Sequence, residues 1–312
     1  MKTISLFIAL FILIIAPFIG QIDLNLHDIF NVSSSSSMVF WEIRIPRVLL
    51  AFFVGGILAL GGFVFQIVFR NPMGTPFTLG VASGATLFTA IAIVLGFSLF
   101  IPLFAFIGAV LTILILFSVA SRFKTTQTSS LLLVGIALSF FYSASLMVVF
   151  FISNLQESYE IVRFTMGSLD IVGLQNALVV LVTAIFLLLL IVKYKYQLTL
   201  LLTSHEFARL KGLDIKKTNY ILLLVTSLAV GVAVSITGPI GFIGLVVPHI
   251  IRLIYKQSYE KLILPIFFYG GVFLVFCDIL ARNLGTVSDI PIGVVTSFIG
   301  APFFIYLIVK RK

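Results

Sequence analysis

From residue 48 to residue 69 the chain runs without a single charge, and apolar stretches of this kind recur along almost its entire length. A helix needs about 20 apolar residues to cross a hydrocarbon layer of roughly 30 Å. Within that layer its backbone polar groups must be satisfied internally, which a helix does by itself. Of the 312 residues 61% are apolar and only 10% charged, and the mean hydropathy is +1.24. One water-soluble core could not hide that much apolar surface. The sequence therefore predicts an all-α polytopic membrane protein, a single transmembrane domain over residues 1–312 with room for about ten spans.

The runs fall at residues 1–20, 48–69, 77–96, 99–121, 131–152, 176–192, 220–235, 241–255, 262–280 and 291–309. The first has no Ala-x-Ala-like site after it and is long, so it reads as an uncleaved span rather than a secretory signal. The interval 21–42 is acidic at Asp23, Asp28 and Glu42 and holds a serine run, Ser33 to Ser37, expected to be flexible. Residues 154–170 form a second acidic interval. With alternating sides, Lys2, Arg70, Arg122, Lys124, the basic residues between 193 and 217, Arg252, Lys256, Lys261 and the basic tail share one side. Only Arg44, Arg47, Arg163 and Arg282 lie opposite, together with Asp23, Asp28, Glu42, Glu157, Glu160, Asp170, Asp278 and Asp289. The positive-inside bias then puts both termini in the cytosol.

The net charge of +9 is thus a topology signal, and nucleic acid is not an expected partner. Cys277 stands alone, so neither a disulfide nor a cysteine metal cluster can form within the chain. His27, His205 and His249 fall in no zinc-binding spacing, and the absence of any Gly-Lys dipeptide excludes a Walker A loop. If ATP drives this protein, another subunit holds it. Spans with almost no ionisable groups argue against a proton- or sodium-driven carrier. No paired His/Glu or Ser/His arrangement supports an intramembrane enzyme.

Three places can carry function. Residues 193–219 are the longest strongly polar interval of the second half, and 204–213 suits a short surface helix ending at Gly212. Arg44, Arg47 and Arg282 break the charge bias, either by snorkelling or capping or by pairing with an acidic soluble partner. Between 238 and 252, Gly238, Gly241 and Gly244 with Pro239 and Pro248 fit two readings: a crowded helix crossing, or a discontinuous helix lining a path.

The ordered motifs resemble one family. They are RIPR at 44–47, Gln66 then RNPMGTPFTLG at 70–80, SGA at 83–85, GSL at 167–169, EFARLKGL at 206–213, GFIGLVVPHIIR at 241–252, DILAR at 278–282 and DIPIGVVTSFIGAPFF at 289–304. Together they resemble the FecCD-type permeases of ATP-binding-cassette (ABC) importers for ferric siderophores, haem and vitamin B12. Met73, Gly74, Phe164, Ser204, Lys211 and Asp289 depart from the common family residues.

The resemblance implies the type II importer permease fold in the cytoplasmic (inner) membrane. It also implies a second permease copy, two cytosolic ATPase subunits carrying ATP-Mg, and a periplasmic or lipid-anchored binding protein above. This chain itself would bind no cofactor, and its cargo would be an iron chelate, with haem or cobalamin as alternatives. Ser204, His205, Glu206, Phe207, Ala208, Arg209, Leu210 and Gly212, within a segment of about 203–217, would couple to the ATPase. Arg44, Arg47 and Arg282 would face the binding protein. Gln66, Asn71, Pro72, Gly238, Gly241, Gly244, Pro248 and His249 would line or pack the path.

Overall fold

The computed structural model describes residues 2–22, 25–31, 34–122, 128–203, 205–285 and 289–310, and among these all regular structure is helical. Helix α1 (Lys2–Ile15) comes first, then a short helix α2 (Ser35–Met38) that passes through one π-helical turn, Val39–Arg44, into α3 (Ile45–Phe69). Pro46 in the first turn of α3 needs no intrahelical donor there, and Arg70 closes the helix in a left-handed conformation, φ 49°. The serine run expected to be flexible is helical from Ser35, because the Ser34 side chain accepts from Ser37 N–H and caps α2.

α3 is the axle. In an 18-residue apolar window of this helix 83% of residues are buried, against 17% in one within α6 (Thr128–Ile152). Hydrophobicity cannot bring helices together in lipid, so small residues that let backbones touch do this work. Gly55 lies against the Gly270 carbonyl of α13 (Ile263–Leu284), and Gly62 against Gly244 of α12 (Ile243–Tyr255). A β-carbon at either glycine would overlap the facing backbone.

α4 (Val81–Val94) and α5 (Ile101–Arg122) meet in the same manner at Gly84 and Gly108. α6 exposes Phe140, Phe141, Met147 and Phe151, an apolar face suited to lipid or a neighbouring subunit. α7 (Leu155–Met166) was hidden from a search for apolar runs because it is amphipathic and charged. Asn154 and Glu157 form a reciprocal capping box that starts it, so the acidic interval is a helix rather than a plain loop.

The rest of the chain is α8 (Gln175–Lys193), α9 (Lys195–Thr203), α10 (His205–Leu210), α11 (Ile215–Thr237), α12, α13 and α14 (Ile292–Lys310). Among the described residues, six helices are long and apolar enough to cross a membrane, and four shorter ones are apolar. α8, α9, α11, α12 and α13 pack on α3, while α4 to α7 form a flank tied through α11.

Candidate functional site

The polar interval after α8 folds into a bent arm. α10 is shorter than the sequence predicts, because Gly212 at φ +79° lets its own N–H and that of Leu213 turn back onto the Arg209 and Ala208 carbonyls. Asp214 then caps α11 by accepting from Lys217 N–H at 3.0 Å. Ala208 is buried and seats α10, whereas Glu206, Phe207, Arg209 and Leu210 are exposed, Leu210 by 86%. Lys211 Nζ lies 5.7 Å from the Phe207 ring. Ser204 lies outside the described residues, and His205 opens α10. Arg70, at the end of α3, donates from Nε and Nη2 to the Leu201 carbonyl at 3.1 and 2.6 Å, binding the axle to α9.

One turn inside, the Gln66 amide donates to the Gly244 carbonyl at 2.9 Å and its oxygen accepts from Arg252 at 2.5 Å. Gln66 is therefore a clasp between α3 and α12. Asn71 turns the chain after α3, its Oδ1 accepting from Met73 N–H at 2.9 Å, with Pro72 exposed beside it. Pro248 is buried within α12 and His249 is half-buried next to it.

The glycine-rich stretch contains both a crowded crossing and a break in the helix, each at its own residue. Gly244 makes the close crossing with Gly62, whereas between α11 and α12 the helix is interrupted, with Gly238 at φ +68° and Phe242 at φ +65°. Gly241, in that interruption, faces open space. It borders a cavity of about 710 Å³ walled by Phe77, Thr165, Met166, Pro239, Ser297 and Phe298. Gly241 and Gly244 also line a smaller one of about 250 Å³. Sequence reasoning singled out Gly241 but not Thr165, Met166, Ser297 and Phe298, which wall the same cavity. Thr165 and Met166 directly precede the GSL motif, and Ser297 and Phe298 lie within DIPIGVVTSFIGAPFF.

At the other end of α3 the charges turn inward. Arg44 donates to the carbonyls of Pro17, Phe18 and Ile22, and Arg282 to those of Ala16 and Ile19, so both hold the chain that leaves α1. Arg47 donates from Nε to Asp278 at 2.9 Å, and from Nη1 to Asp170 and Asp289 at 2.8 and 2.7 Å. Asp278 is fully buried and also lies 3.1 Å from Arg282, close enough for attraction though not aligned as a hydrogen bond. Arg163 pairs with Asp170 at 3.3 Å. Arg44, Arg47 and Arg282 are each no more than 8% exposed. Within the chain, its own carboxylates and carbonyls already occupy all three guanidinium groups. A third cavity, of about 490 Å³, bordered by Arg47, Arg163, Ser168, Asp170 and Asp289, opens beside this network.

The FecCD transport family matches residues 6–310. This chain belongs to that family. It is 36% identical over 306 residues to the hemin transport system permease protein of Yersinia pestis, covering 94% of this chain and 90% of the relative. A probable iron chelatin transport system permease protein of Helicobacter pylori is 36% identical, with 89% and 85% covered. The cobalamin import system permease protein of Halobacterium salinarum is also 36% identical, with 91% and 76% covered. A solved structure described as an inward-facing conformation of a putative metal-chelate type ABC transporter superposes with a TM-score of 0.87 at 28% identity, covering 98% of this chain and 99% of that one. The chain is thus a FecCD permease, the multi-pass membrane subunit of an ABC importer.

Proposed function

We propose that this FecCD permease carries an iron chelate, a ferric siderophore, inward across the cytoplasmic membrane, powered by ATPase subunits docked at α10. The carrying observation is α10 itself. A helix seated by Ala208 and held through Arg70 on α9 exposes Phe207 and Leu210 beside Arg209, which suits a partner pocket with a polar rim. The fold reading is ten spans with both termini cytosolic, supported by six long and four shorter apolar helices together with the charge asymmetry.

The cavity walls supply aromatic, thioether and hydroxyl groups, which suits a metal enclosed in its chelator rather than a bare cation. The second half of the path belongs to a second permease copy. A binding protein delivers the cargo at the end where α3 begins. Its carboxylates reach Arg47 only by displacing Asp170 or Asp289. Haem and cobalamin permeases are equally similar in sequence, so the cargo is decided by transport. Liposomes holding this permease with its ATPase and binding protein should accumulate the ferric siderophore only with ATP. Uptake of haem or cobalamin instead would overturn the cargo, and ATP-independent uptake would overturn the importer reading.

A further inference from the structure

The partners of Arg47 fall into two classes. Asp278 is buried, holds Nε and belongs to α13, which packs along α3, so that contact joins two scaffold helices. Asp170 and Asp289 share Nη1, and their side chains are 39% and 27% exposed. Neither is in a helix: Asp170 follows α7 and Asp289 precedes α14. One nitrogen therefore ties the end of α7 to the start of α14, and both to the axle.

The two tied segments line both cavities at this end. Met166 borders both the outer cavity of about 490 Å³ and the 710 Å³ cavity beneath it. Gly293, in the first turn of α14, approaches the Met166 carbonyl so closely that a β-carbon would overlap it. Cargo entering from this end must part α7 from α14, and the bonds on Nη1 cross that seam. Ion pairs open to water are screened and individually weak, so these yield before the buried one. Asp278 meanwhile keeps the guanidinium aimed at the seam.

We propose that Arg47, Asp170 and Asp289 form a releasable latch across the outer mouth, with Asp278 as its fixed anchor. This rests on the importer reading, which places this end outside. Arg163, 59% exposed, already pairs with Asp170 at 3.3 Å and keeps that carboxylate partnered once Arg47 releases it. The latch is a positioning device: it touches no cargo and sets how long the mouth stays shut.

The test uses the full chain in its native membrane, with buried Cys277 left in place. Ser297→Cys reports access to the path, and Gln156→Cys, on α7, reports sidedness. An impermeant maleimide is added to intact cells. Asp170→Asn combined with Asp289→Asn should raise the labelling rate of Ser297→Cys several-fold. Asp170→Glu combined with Asp289→Glu, which keeps both charges, should return the rate towards that of the parent. Equal rates in the parent and the Asn pair, with the chain present at parental level, would overturn the latch, as would equal rates in the Asn and Glu pairs. Lack of labelling at Gln156→Cys would instead remove the outer-side assignment, a failure of the importer reading that the other arms do not produce.

Discussion

The two ends of α3 handle charge in opposite ways. At the end where it begins, Arg47, Arg163 and Arg282 face Asp170, Asp278 and Asp289, three charges of each sign in one network. At the end where it stops, Glu206 and Arg209 of α10 stand exposed beside Phe207 and Leu210. The first arrangement is complete within the chain, whereas the second presents groups whose burial needs another molecule. Burying a charge is costly unless it is paired, and exposing an apolar knob has little purpose unless something covers it. The difference teaches where this permease is self-sufficient and where it is one part of a machine.

Substitutions should separate the two ends. The largest effect is expected for Asp278→Ala, which leaves two buried guanidinium groups without their shared carboxylate. Loss of one partner of a buried pair costs about 3–5 kcal/mol, so the variant should show a much lower thermal midpoint in detergent or fail to accumulate. A midpoint equal to the parent would mean the network carries no structural weight.

Next comes Gly62→Val, whose side chain would drive α3 off the Gly244 backbone. Overpacking costs about 1–3 kcal/mol, and this site belongs at the upper end because backbone is what must move. Gly241→Val, in open space, should leave the thermal midpoint close to the parental value.

At the inner end the prediction reverses, with binding affected and folding spared. Leu210→Glu should leave the thermal midpoint unchanged while weakening ATPase association by about 2 kcal/mol, the scale of an interface hot spot, or roughly 30-fold. Association measured with purified subunits checks this. Smallest is Arg163→Ala at the outer rim, since its exposed pair is worth about 0.2–1 kcal/mol and fades with salt. Thermal midpoints compared at low and high ionic strength should show the loss only at low salt.

Much of this contrast can be read along the chain, but only where the signal is local. The run at 176–192 reappears as α8, residues 175–193, because an uninterrupted apolar stretch has no competing structure in lipid. The surface helix at 204–213 appears as α10 because Gly212 stops it. α7 was missed since its charges broke the apolar pattern, although Asn154 and Glu157 stand at the capping-box spacing. The internal partners of Arg47 are hidden from the sequence because they lie 123, 231 and 242 residues away. Only the way Gly55 and Gly270 let α3 and α13 touch brings the buried Asp278 to it. Local periodicity announces helices, whereas ion networks depend on which helices meet.

The central claim is that α10 is a cytosolic docking arm. Leu210→Cys, in cells that also make the ATPase subunit, tests it most directly. The account predicts that a membrane-permeable thiol-to-amine cross-linker joins this cysteine to the ATPase, and that an impermeant maleimide added outside leaves it untouched. Rapid labelling from outside, or a parental yield of ATPase complex with no cross-link to the arm, would contradict it.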